Sequence, residues 1–304
     1  EIMALAKQQE LVIRQIRLIQ DNYYTMEGSM RKRTMVGGAL PVELTVEIDC
    51  DLDDAALNAL LLNAIAASPI NGLMRGKLES LFALSKNSCQ IELGKSKPIE
   101  GLLYGDPENK FDGYEAKGSV LNEPIVEPVG VTPKKEIPGG TSAAGSSLAD
   151  EQSRTLNIGG ICTLREDGIK EITQLQYSPH GTSFKLLSEE AEVNGGMGRA
   201  PDANTYISAG VAFCFMTQFG RFVKMLDLDL KEYRVVQDSY FSLGGASGGT
   251  GQAGTAHPLE THVYLETNES DDVAREMLDI SEQTCFLHAF CRTDMKTKLR
   301  VVRL

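Results

Sequence analysis

No apolar run in this 304-residue chain reaches the roughly 18 residues that a membrane-crossing helix needs, so no spanning segment is expected. The most apolar stretch, 57–67, is interrupted by Asn58 and Asn63. Basic residues are scarce beside acidic ones. Thirty Lys and Arg against 42 Asp and Glu leave a net charge of −12, which argues against nucleic acid as a partner. Cysteine is sparse too. Six cysteines are too few for a disulfide scaffold. No Cys-x-x-Cys occurs, and His180, His257, His262 and His288 show no zinc-ligand spacing. The glycine tract 244–254 lacks a Gly-Lys-Ser/Thr ending and reads as a hairpin tip. Gly195-Gly196-Met197-Gly198 is no dinucleotide fingerprint. No bound cofactor or metal is therefore expected. No basic-then-apolar leader opens the sequence, so a secretory signal is not expected, and a reduced, cytoplasmic compartment is.

The chain does have the 42% apolar and 24% charged residues of a globular protein, long enough for two ordinary domains or one large one. Leu5, Leu11, Ile13, Ile16, Leu18 and Ile19 predict a helix over 3–20. Residues 41–48 alternate as a strand does, and Asp53-Asp54 opens a second helix through about Leu73. Six of the eleven prolines lie between Pro98 and Pro138, so 96–153 reads as a linker with a short extended segment at 125–131. Strands are expected at 156–164, 169–176 and 183–193, then a glycine loop at 194–204 and a long helix over 204–226. Further strands follow at 232–242 and 258–266, a helix over 270–291 and a last strand over 298–304.

Offset by 217 residues, 41–78 falls on 258–295 without a gap, with Pro41/Pro258, Glu43/Glu260, Val46/Val263, Asp54/Asp271, Leu61/Leu278 and Arg75/Arg292 identical. Strand, acidic helix start and apolar helix keep one register, which reads as an internal duplication. The helix over 3–20 would then match 204–226. Cys285 falls on Ser68 and Cys214 has no cysteine counterpart. Thiol chemistry is thus open only to the second copy.

Cys214 and Cys285 sit on separate expected helices. They are inert core thiols, a disulfide, or a peroxidatic and resolving pair. His288, at i+3 from Cys285, reads as a core or interface histidine, with activation of that thiol as the alternative.

The surroundings of Cys214 resemble the OsmC/Ohr family of osmotically inducible and organic-hydroperoxide-resistance proteins. The resemblance rests on the glycine loop at 195–198, Pro201-Asp202 before the helix, and Ala209-Gly210 four residues ahead of Cys214, with Cys285 on the next helix. Ser68-Pro69-Ile70 resembles the family's Cys-Pro-Val. The resemblance implies an α+β, OsmC-like fold, with antiparallel sheets wrapped around two long central helices. The chain would be an internal pseudo-dimer, able to pair again as a homodimer. It divides into a truncated, degenerate copy without the cysteine pair at 1–95, the linker at 96–153 and a complete copy at 154–304.

The implied function is thiol-dependent reduction of organic or hydrogen peroxides, with an external dithiol as reductant and no membrane or nucleic-acid partner. Cys214 would attack, Cys285 would resolve, Arg165 would stabilise the thiolate and Asp202 would hold the arginine. Arg199 is a rival cation. Asp202 is shorter than the family's glutamate and two positions off, and Phe286 stands where the family has proline. The alternative function is a non-enzymatic relative that binds a small apolar ligand between the helices.

Overall fold

A computed structural model describes residues 1–115, 121–135, 150–177, 181–245 and 250–304. The turn at 178–180, part of the linker and the middle of the glycine tract lie outside them. The chain opens with helix α1 (Ile2–Gln8), then strands β1 (Ile13–Gly28) and β2 (Val36–Cys50), helix α2 (Asp54–Ala67) and a 3₁₀ turn at Ile70–Met74. Strands β3 (Ser80–Lys86), β4 (Cys89–Ile91) and β5 (Lys97–Pro98), a 3₁₀ turn at Pro107–Phe111 and strand β6 (Val126–Val131) follow. The second half holds β7 (Gln152–Leu164), β8 (Lys170–Gln176), β9 (Thr182–Ser188), the long helix α3 (Ala203–Leu226), β10 (Glu232–Asp238), β11 (Phe241–Ser242), β12 (Thr255–Ala256) and β13 (Leu259–Glu266). It closes with α4 (Asp271–Thr284), α5 (Phe286–Cys291) and β14 (Lys298–Arg303).

These elements make a mixed α+β fold. One sheet has the order β14-β2-β1-β7-β8-β9-β6, and a second runs β10-β13-β3-β4 with β5 also on β3. Two expected helices are corrected. Residues 13–28 are a strand, not part of a helix over 3–20. Ile13, Ile16 and Ile19 are β-branched and suit a pleated surface, and ladders from β2 and β7 satisfy this backbone on both sides. The last helix breaks at Cys285, whose extended backbone (φ −71°, ψ 123°) ends α4 and starts α5. The extended segment expected at 125–131 is β6, which forms the edge of the larger sheet against β9, and 96–153 also carries β5 and a 3₁₀ turn.

The 217-residue offset runs further through the structure than through the sequence. Leu18 faces Val46 in the β1–β2 ladder, and Val235 faces Val263 in the β10–β13 ladder. Beyond a bulge, Tyr24 faces Ala39 as Phe241 faces Ala256. The hairpins therefore match, and α1 matches the last turns of α3, so β1 corresponds to β10 rather than to a helix.

The strands that follow the helices are exchanged. β14 runs parallel to β2 with Lys298 opposite Glu43, and β3 runs parallel to β13 with Leu81 opposite Glu260. Each pair maps onto the other at the same offset. Loop hydrogen bonds are exchanged likewise: the Leu78 N–H donates to the Cys291 carbonyl (2.9 Å), and the Met295 N–H to the Met74 carbonyl (2.9 Å). Residue i of one half meets j of the other while j meets i, the relation of a two-fold contact.

Packing repeats as well. Val46, Ile48, Leu57 and Leu61 cluster with Val301, and their counterparts Val263, Leu265, Ala274 and Leu278 cluster with Leu84. The conserved guanidiniums do one job twice. Arg75 donates to the Ala66 carbonyl (2.8 Å), and Arg292 donates to the Gln283 carbonyl (2.8 Å), closing the C-terminal ends of α2 and α4. Among the described residues, no helix is long and apolar enough to cross a membrane.

Candidate active site

α3 begins at Asp202, whose carboxylate accepts the Thr205 N–H (2.8 Å) as an N-cap. Phe215, Phe219 and Phe222 then bury one helical stripe against α4 and the smaller sheet. Cys214, half-buried beside that stripe, faces the α4–α5 break, where Cys285 is wholly buried. Both thiols are free.

The pair is asymmetric. The Cys285 thiol donates toward the Cys214 sulfur, and that hydrogen bond is the main cause pulling the Cys214 pKa below the ordinary thiol value. Burial opposes it. The backbone N–H groups of Leu287 and Phe286 and the positive charge of Arg221 reinforce it. Burial first, and then the same hydrogen bond, push the Cys285 thiol well up. The resting pair is thus a thiolate-prone Cys214 beside a protonated Cys285. The break in the helix creates this state, since an unbroken helix would spend the Phe286 and Leu287 N–H groups on its own carbonyls.

Arg221 is two turns beyond Cys214 on the same face of α3. Its one hydrogen bond among the described residues goes from Nη1 to Gln218 Oε1 (3.3 Å). Burial lowers its pKa, and Cys214 counteracts that. Arg154, on β7 opposite Met26, lies close enough to Arg221 for the two charges to repel, and its Nε has no partner. Among the described residues neither guanidinium is paired with a carboxylate.

Two further groups border the thiols. Desolvation pushes the Tyr24 phenol up, and Cys214, Cys291 and Cys285 add to the shift. Cys291 is pushed up to about 12 by burial. His288 is wholly buried, stacked on Phe82 (5.6 Å between ring centroids) and edge-on to Phe215 (5.7 Å), with both ring nitrogens unpartnered. Burial lowers its pKa to about 3, so the ring is neutral and is no base for Cys285 at ordinary pH.

The structure brings Cys214 and Cys285 together and leaves the other expected site residues elsewhere. Arg165 closes the turn after β7 in ion pairs with Glu123 (2.7 Å) and Asp167 (3.2 Å). It is eleven residues along the chain from Arg154, roughly 35 Å of extended strand. Asp202 is twelve residues ahead of Cys214, roughly 18 Å of helix. Arg199 is held by Glu189 (2.6 Å). Arg221 was findable from its seven-residue spacing to Cys214. Arg154 was not, because only the β1–β7 ladder brings it there.

Residues 196–300 match the family model described as an OsmC-like protein. This stretch of the chain is OsmC-like. It takes in α3, α4, α5 and both thiols. Similar solved structures include an organic hydroperoxide resistance protein OsmC from Legionella pneumophila (16% identity, 47% of this chain and 88% of that one, TM-score 0.31). An OsmC-like protein from Mycoplasma pneumoniae is 12% identical over 46% of this chain and 94% of its own, with a TM-score of 0.33. An OsmC-like hydroperoxide resistance protein from Jannaschia sp. CCS1 is 19% identical over 42% and 79%, with a TM-score of 0.27. No curated protein matches.

Proposed function

We propose that this OsmC-like chain reduces organic or hydrogen peroxides through Cys214 and Cys285. The observation that carries the reading is the asymmetric thiol pair: a sulfur with a lowered pKa, supported by Arg221, in contact with a protonated, buried one. The Cys214 thiolate attacks one peroxide oxygen. The O–O bond breaks, the sulfur is oxidised by two electrons to a sulfenic acid, and the leaving alkoxide takes a proton to become an alcohol or water. Cys285 then attacks the sulfenic sulfur, forming the S–S bond and releasing water. An external dithiol supplies two electrons and two protons to restore both thiols, in keeping with a reducing, cytoplasmic compartment. Arg221 replaces Arg165 as the cation that favours the thiolate.

The same reading makes the chain a fused pair of copies around one two-fold relation, with Ser68 standing where the second copy has Cys285. One thiol site then serves the pair. The hairpin of the first copy completes it by placing Tyr24 beside the thiols.

Stopped-flow mixing of the reduced protein with cumene hydroperoxide tests the chemistry. Wild type should lose two thiols per peroxide. Cys214→Ser should not react, and Cys285→Ser should stop at a sulfenic acid that dimedone traps. Equal thiol loss in wild type and Cys214→Ser would remove the peroxidase reading and leave the ligand-binding alternative.

A further inference from the structure

A second cluster lies on the opposite face of the smaller sheet. Along β13, Leu259, Val263 and Leu265 point into the cores, so the alternating Glu260, His262 and Tyr264 point the other way. Asp238 of β10 sits directly opposite Glu260 in the ladder. Like charges so placed destabilise a sheet. The ligating atoms of Asp238, Glu260 and His262 all lie within 4.8 Å of one another. We propose that these three side chains bind a divalent transition-metal ion of the zinc class.

The groups are poised for such an ion. His262 is 1% exposed, yet both its ring nitrogens lack a partner, as does the buried Oδ2 of Asp238. Unpartnered polar atoms at this depth are costly, and an ion would satisfy both residues at once. One nitrogen and two carboxylates suit zinc or iron(II) better than calcium or magnesium. Tetrahedral zinc sets its donors about 3.3 Å apart, a contraction that side-chain rotations can supply.

The Tyr240 hydroxyl donates to Glu260 Oε2 (3.1 Å) and would fix that carboxylate from outside. A cavity of about 260 Å³, bordered by Ser85, Tyr104, His262 and Tyr264, reaches the site at His262. Lys110, reaching over the Tyr104 ring, pairs with Asp238 and partly neutralises the two acids. It is the competitor that an incoming cation displaces. The sequence hid this site because its residues come from two strands joined across a ladder, without the spacing of a local motif.

Isothermal titration of ZnCl₂ into the full chain carrying Cys214→Ser and Cys285→Ser, after chelator treatment, tests the site without the thiol pair. One ion per chain is expected. Adding His262→Gln should weaken binding by more than about tenfold, and adding Lys110→Met should tighten it by about tenfold, because a competing charge is removed. The Lys110→Met arm stands even if His262→Gln does not fold. Absence of binding, or affinity unchanged in both variants, would overturn the proposal.

Discussion

Cys285, wholly buried at the α4–α5 break, borders the half-buried Cys214 of α3, and the pairing pulls the Cys214 thiol down while it pushes the Cys285 thiol up. On the proposed mechanism this asymmetry makes Cys214 the sulfur that reacts first. Removing the Cys285 thiol should therefore raise the Cys214 pKa. In Cys285→Ala, the pH midpoint for iodoacetamide alkylation of Cys214, followed on its tryptic peptide, should move up. Cys285→Ser keeps a hydroxyl donor and should move it less. A midpoint unchanged in Cys285→Ala would mean that the hydrogen bond does not tune the thiol.

Arg221 and Arg165 separate the observed geometry from the family pattern. Arg221→Met should slow the reaction of Cys214 with peroxide at pH 7 by about tenfold, the effect of about one pKa unit on the thiolate fraction, and Arg221→Lys should restore part of the rate. Arg165→Met should leave the rate within about twofold, since its partners are Glu123 and Asp167. Rates from stopped-flow thiol loss decide between them. Asp202→Ala should lower stability by about 1 kcal/mol through the lost helix cap, without altering the Cys214 alkylation midpoint.

His288 gives the fold an acid liability. Its folded pKa is about 3, against 6.5 for an unperturbed histidine. The unfolded chain therefore binds the extra proton first. Stability from this group is intact above pH 6.5 and falls with pH until about 3, by on the order of 5 kcal/mol in all. His288→Phe fills the stack between Phe82 and Phe215 with no ring nitrogen to satisfy. It should flatten the stability profile over that window in urea melts at a series of pH values. An unchanged acid slope would assign the loss to other groups.

The exchanged strands make a prediction about chain integrity. Because β14 completes β2 and β3 completes β13, segments 1–135 and 150–304, expressed together as separate chains, should associate one to one and co-purify. Each alone should aggregate or remain unfolded, since each would leave sheet edges bare. Independent folding of either segment would contradict the two-fold reading.

The sequence made the second half largely legible. The strands of β7 and β8, the long α3 and the α2–α4 equivalence all followed from periodicity and a fixed offset. The first strand did not. The apolar positions Ile13, Ile16, Leu18 and Ile19 fit a helical stripe as well as a strand, and only the neighbouring β2 and β7 ladders settle it. The helix break at Cys285 had a faint marker in the aligned Ser68-Pro69, but the residue after Cys285 is phenylalanine, which does not itself interrupt a helix. Of the candidate site, the two thiols stand out in the sequence because few cysteines compete with them. The cation was assigned to Arg165 by position in a pattern. Charges act through space, and folding places Arg221 near the sulfur instead.

Peptide mapping after one equivalent of cumene hydroperoxide tests the thiol chemistry most directly. The expected product is a single cross-linked pair of tryptic peptides, one holding Cys214 and the other Cys285, two hydrogens lighter than their sum and restored by dithiothreitol. Both peptides recovered with free thiols, or oxidation confined to the exposed Cys89, would contradict it.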